Sequence, residues 1–165
     1  MVTETTTREE TLAFGVTIGR QAYAGMVICV DGDLGAGKTV LAQGIAKGLG
    51  ITEPVVSPTF TILQEYRDGR LPFYHFDVYR IEDPEEMYEV GFEDYFYGDG
   101  VCMIEWAELI RELLPEKHVH ITLEKQLERG SDYRRIKAEG LPEYVIGIAG
   151  QDMDVNHNGE GQTEK

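Results

Sequence analysis

The sequence predicts a single α/β domain with a mixed β-sheet flanked by helices. Three observations carry this expectation. A length of 165 residues suits one hydrophobic core rather than two. Two continuous apolar runs, 26–30 and 101–104, have the character of strands buried on both faces. Helical periodicity alternates with strands early in the chain and gives way to hairpin signals later. Residues 1–146 read as the folded domain. From 147 to 165 the chain is short of large apolar side chains and rich in Gly, Asn and Asp, which reads as a flexible C-terminal tail.

Each element has a local reason. Thr7 and Glu10 stand at capping-box spacing, and Leu12, Val16, Gly19 and Tyr23 recur at helical intervals, so an opening helix is expected near 8–24. The strand 26–30 follows. After a glycine-rich loop, 39–49 reads as a helix stopped by Gly48 and Gly50. Residues 59–66 and 71–76 flank Arg67-Asp68-Gly69-Arg70, whose central Asp-Gly marks a hairpin. Asp83-Pro84-Glu85-Glu86 combines an N-cap, a proline at the first helical position and a capping glutamate, opening a helix that ends near Gly91. The strand 101–104, a short helix over 106–113, and a terminal hairpin of 118–123 with 133–138 complete the chain.

Composition narrows the function. Against 30 Asp and Glu stand 15 Lys and Arg, a formal net charge of -15, which repels nucleic acid and anionic membranes. A stand-alone nucleic-acid binder is thereby disfavoured. Hydrophobic content of 42% is too high for a disordered acidic chain. The first ten residues lack the apolar centre of an export signal, and no apolar run approaches membrane-spanning length. Cys29 and Cys102 both lie in apolar runs and read as buried thiols, so a soluble cytoplasmic protein is expected.

The motif with the most chemical content is Gly32-Asp33-Leu34-Gly35-Ala36-Gly37-Lys38-Thr39, which fits the Walker A pattern without mismatch between a strand and a helix. Three glycines let the backbone curl until successive N–H groups point at phosphate oxygens, and the following helix adds its positive end. Lys38 is placed to reach the β- and γ-phosphates and Thr39 to ligate Mg²⁺. The expected architecture is therefore P-loop NTPase-like. No Asn-Lys-x-Asp guanine motif is present, which leaves adenine as the default base.

Two carboxylates at strand ends, Asp77 after 73–76 and Glu105 after 101–104, both qualify to complete the Mg²⁺ shell. Ser57-Pro58-Thr59-Phe60 sits where a γ-phosphate-sensing segment is expected, or is a plain proline turn. His75 reads as a packed strand histidine; His118 and His120 share a strand face without a third metal ligand in view. Residues 81–110 hold ten acidic side chains and no Lys or Arg, either solvated surface or a face for a basic partner.

These landmarks in this order resemble the bacterial TsaE (YjeE) family of small P-loop ATPases. The matching runs are the loop 32–39, Ser-Pro-Thr-Phe-Thr at 57–61, His-Phe-Asp-Val-Tyr-Arg at 75–80, Asp-Pro-Glu-Glu at 83–86 and Ile-Glu-Trp at 104–106, within residues 8–138. The resemblance implies ATP bound by 32–39, Mg²⁺ held by Thr39 and Glu105, Asp77 acting in hydrolysis or its conformational coupling, and Thr11 contacting the nucleotide. It also implies an arginine of the terminal hairpin near ATP, with Arg129, Arg134 and Arg135 all open. Val78 stands where leucine is commoner. The implied function is a subunit needed for N6-threonylcarbamoyladenosine formation in tRNA, acting on TsaD and TsaB and meeting tRNA only through them. Slow intrinsic hydrolysis is expected, since no arginine is evidently placed as a finger. A small-molecule P-loop kinase is the alternative, disfavoured by the lack of lid arginines over 81–110; a nucleotide sensor without turnover is a third reading.

Overall fold

The computed structural model describes residues 1–143, and the tail expected from 147 lies outside them. Seven strands form one sheet: β1 (Val2–Thr5), β2 (Val27–Asp31), β3 (Leu63–Tyr66), β4 (Phe73–Asp77), β5 (Val101–Glu105), β6 (Val119–Lys125) and β7 (Arg134–Glu139). Their spatial order is β1-β7-β6-β2-β5-β4-β3. The four central strands β6, β2, β5 and β4 run parallel, while β3, β7 and β1 add antiparallel edges. The mixed sheet of the sequence expectation is thus present, with its apolar runs at the centre.

One face of the sheet is covered by α1 (Arg8–Gln21) and α2 (Lys38–Gly48). These helices approach closely enough that a Cβ on Gly19 would stand 2.1 Å from the Ile45 carbonyl oxygen, and one on Gly44 2.3 Å from that of Leu12. Only glycine fits there, which explains the small residues that interrupt both amphipathic patterns. Thr7 caps α1 by accepting from the Glu10 N–H at 3.1 Å. Arg70, beyond the expected Asp-Gly turn, donates to the carbonyls of Gly19, Arg20 and Ala22 and so closes the other end of α1.

The opposite face is covered by shorter pieces. The helix expected from 83 to 91 is a 3₁₀ turn over Pro84–Glu86 running into α3 (Met87–Val90). Gly91, at φ 72°, turns the chain into α4 (Phe92–Phe96), which the pattern did not reveal. Residues Ala107–Leu113 form a kinked 3₁₀ segment rather than an α-helix. Phe76, Phe92 and Phe96 pack edge to face here, and Val78 is fully buried beside them.

Two further differences have physical causes. Strand β1 lies in the Thr- and Glu-rich start; its apolar signal is faint because only Thr5 of the four residues is buried. The expected strand 59–66 begins at Leu63, because Pro58–Thr61 closes a turn, with the Ile62 N–H donating to the Pro58 carbonyl at 2.9 Å. Among the described residues, no helix is long and apolar enough to cross a membrane.

Candidate functional site

Parallel strands leave a crevice at their carboxyl ends, and three of them deliver the site residues. Strand β2 runs into the loop 32–39, β4 ends at Asp77 and β5 at Glu105. In the β4–β5 register Asp77 stands directly beside Glu105, and both are buried. A cavity of about 610 Å³ opens over them. Thr11, Leu34, Gly35, Gly37, Lys38, Thr39, Asp77 and Glu105 line it; Gly32, Asp33 and Ala36, the other candidates, take part through the loop backbone.

The loop is held from outside by cations. Lys38 Nζ curls back to donate to the carbonyls of Gly32 and of Asp33, the latter at 2.9 Å. Lys125 Nζ donates to the Leu34 carbonyl at 2.9 Å. Arg134 Nε donates to the Ala36 carbonyl at 2.7 Å, and its Nη2 to that of Gly35 at 3.2 Å. With five successive carbonyls engaged in this way, the loop is pre-shaped with little conformational freedom left to lose. Gly37, at φ 103°, takes a left-handed turn at the entry to α2. Desolvation by burial lowers the Lys38 pKa, against the opposing pull of Glu105, Asp77, Asp31 and Asp33.

The other wall is built from hydroxyls and carboxylates. Ser57 Oγ lies 2.8 Å from Asp77 Oδ2 and 3.1 Å from Glu105 Oε2, so its one proton is shared between two acids. Thr59 stands behind it, 3.5 Å from Asp77 Oδ2. Asp77 Oδ1 accepts from the Tyr79 N–H at 3.0 Å. Among the described residues, the two non-glycine residues with positive φ both adjoin these acids: Trp106 (φ 62°) follows Glu105, and Ile62 (φ 66°) accepts the Asp77 N–H through its carbonyl. Strained backbone of this kind clusters at active sites and ligand clamps, and here it is concentrated at the carboxylate pair. The Trp106 turn swings its indole under Lys38 Nζ, 4.1 Å from the ring centroid, and against Tyr79.

Several participants were beyond the reach of sequence pattern. Thr11 is buried and hydrogen-bonds Thr5 of β1 at 2.7 Å, so the unpredicted edge strand seats a predicted site residue. Of the three hairpin arginines left open, Arg134 lines the cavity, while Arg129 pairs with Glu4 and lies over Tyr133. Arg8 and Arg80 also line the cavity, one bonded to Gln43 and the other stacked on exposed Phe60. His120 bonds Asp31, and His118 the Pro115 carbonyl, each thereby partnered outside the cavity.

Comparison with known proteins identifies the family. Residues 5–136 match the family model described as threonylcarbamoyl adenosine biosynthesis protein TsaE. A relative from Bacillus subtilis named tRNA threonylcarbamoyladenosine biosynthesis protein TsaE is 50% identical over 128 residues, covering 78% of each chain. One of the same name from Nostoc is 47% identical over 120 residues, covering 70% of this chain and 73% of the relative. The crystal structure of Bacillus subtilis YdiB superposes with a TM-score of 0.73 at 38% identity, covering 96% of both chains. The family match spans every strand from the end of β1 to the middle of β7 together with the whole cavity, and the chain belongs to the TsaE family.

Proposed function

We propose that this chain is a Mg²⁺-dependent ATPase that serves N6-threonylcarbamoyladenosine formation in tRNA by acting on the TsaD–TsaB complex. The observation that carries the reading is the convergence of a Walker A loop, Lys38, Thr39, Asp77 and Glu105 on one cavity of nucleotide size. The donor set fits the metal: Thr39, Asp77 and Glu105 offer hard oxygens, and two adjacent buried carboxylates sharing one hydroxyl proton call for a cation. Among the described residues no group of three His, Cys, Asp or Glu forms a closed metal cage. That suits Mg²⁺, which keeps waters and takes phosphate oxygens for much of its shell.

Held by Thr39 and Glu105, the metal would supply positive charge to offset the charge that develops on the phosphoryl group. The chain's own residues do the rest. Lys38 leaves the Gly32 and Asp33 carbonyls for the phosphoryl oxygens, and the loop N–H groups cradle the phosphates. Thr39 and Glu105 hold the metal's protein side. Asp77, fixed at Oδ1 by the Tyr79 N–H, orients the attacking water through Oδ2. Arg8, Arg80 and Arg134 are each engaged elsewhere, which supports slow hydrolysis by the protein alone. Nine of the ten carboxylates between 81 and 110, all but Glu105, are exposed and available to a basic partner surface.

Release of inorganic phosphate from ATP, measured with and without TsaD and TsaB, tests the reading. Slow turnover that the partners change is expected. Glu105→Ala and Thr39→Ala should each abolish the Mg²⁺-dependent part while the protein stays folded; full activity in both variants would reject the metal assignment, and phosphate passed to a small acceptor would indicate a kinase.

A further inference from the structure

His75 lies on β4 in the middle of the sheet, completely buried and stacked on Phe73 with ring centroids 5.9 Å apart. Neither of its ring nitrogens has a hydrogen-bond partner, and neither does Glu105 Oε1. These unsatisfied atoms face each other: His75 Nε2 stands 3.6 Å from Glu105 Oε1, just beyond hydrogen-bond distance. A buried imidazole and a buried carboxylate oxygen left unpaired are each costly, so the arrangement is incomplete as it stands. The other Glu105 oxygen, Oε2, is turned toward Ser57 and the cavity.

We infer that His75 is a positioning residue for Glu105: a small swing of the carboxylate closes the His75 Nε2–H to Oε1 hydrogen bond and fixes Oε2 in its metal-facing orientation. The pair is a bistable contact. In one arrangement Glu105 leans on the Ser57 hydroxyl of the 57–62 loop; in the other it is held from behind by β4. The stack on Phe73 fixes the plane of the imidazole, and the buried strand fixes its height. Partners of this kind behind a metal-binding carboxylate or imidazole are worth about 10–100-fold in metal affinity. The inference rests on the proposed Mg²⁺–nucleotide site, and its test separates the two.

Binding of a fluorescent ATP analogue is measured in EDTA and across a Mg²⁺ titration for the wild type, His75→Leu and His75→Gln. Wild-type affinity should tighten with Mg²⁺. His75→Leu should bind equally in EDTA yet need about tenfold more Mg²⁺ for the same tightening, with His75→Gln, which keeps a donor, recovering part of the loss. In parallel, ¹⁵N spectra of the wild-type imidazole should show Nε2 become a bonded N–H donor when Mg²⁺ and nucleotide are added. Wild-type tightening together with an unchanged Mg²⁺ requirement in both variants and no spectral change would overturn the positioning role and leave the ATPase reading intact. A wild type indifferent to Mg²⁺ would overturn both. Should His75→Leu not fold, His75→Gln and the wild-type spectra decide by the same outcomes.

Discussion

The two walls of the cavity are held by opposite means. The 32–39 wall is clamped by cations from neighbouring strands: Lys125 and Arg134 take up the Leu34, Gly35 and Ala36 carbonyls and hold that part of the loop in shape independently of Lys38. The 57–62 wall is tethered from the front, by a serine and a threonine reaching the very carboxylates that a metal would compete for. Its outer side is loose, with Val56 62% and Phe60 85% exposed. One wall is a fixed receptor; the other has its restraint at the chemical centre. On the proposed reading, a cation held by Asp77 and Glu105 would compete with the Ser57 hydroxyl for the same oxygens and so loosen the loop, the kind of order change that γ-phosphate-sensing segments use.

Lys38→Ala strikes the clamped wall hardest. It removes a charged donor to the phosphates, and nucleotide affinity should fall by at least about 100-fold, or about 3 kcal/mol, by titration calorimetry. Arg134→Ala leaves the Gly35 and Ala36 carbonyls without that donor, and a loss of about tenfold is expected with the melting temperature little changed. Equal affinity in that variant would mean the clamp is not what shapes the loop.

Ser57→Ala tests the tethered wall. Nucleotide affinity in EDTA should stay within about threefold, while amide exchange over 55–62 accelerates about tenfold, the loss of one hydrogen bond to a charged group. Protection equal to wild type would show that the turn itself, not the acids, holds the segment.

One effect, silent at neutral pH, belongs to the strands beneath both walls. Burial pushes the thiols of Cys29 on β2 and Cys102 on β5 up to about 12 from an ordinary value of 9.0. The unfolded chain then loses its thiol protons first. Stability from this source is complete below about pH 9 and is lost between about pH 9 and 12, by at most about 1.4 kcal/mol per pH unit per thiol. Denaturant melts across that range should flatten when both are replaced by alanine.

The clamped wall was legible in the sequence because a phosphate loop is a contiguous pattern, and the acids of the other wall were legible because each closes a strand-like run. Asp77 and Glu105 were recognisable as strand ends; that they are adjacent in register was not, since 28 residues separate them and pairing is a tertiary fact. The choice of Arg134 over Arg135 depends on alternation along β7, and Arg129 lies outside that strand in the turn Leu127–Arg129. His75 was legible as a packed strand histidine, but its missing partners could be seen only once β5 lay beside it. Strand β1 escaped notice because an edge strand needs little apolar content, and α4 because Gly91 looked like an end rather than a corner.

The clamp has a consequence for how the protein is made. Arg134 lies 98 positions after the Ala36 carbonyl it holds. At a synthesis rate of about 5–20 residues per second, the loop waits about 5–20 s after its own emergence before that side chain exists. A nascent chain carrying the whole Walker motif is therefore still missing the donor to its Gly35 and Ala36 carbonyls. On the proposed reading, full nucleotide affinity waits for β7, and chains stopped before Arg134 should be held about tenfold more weakly on an immobilised nucleotide than chains that extend past β7.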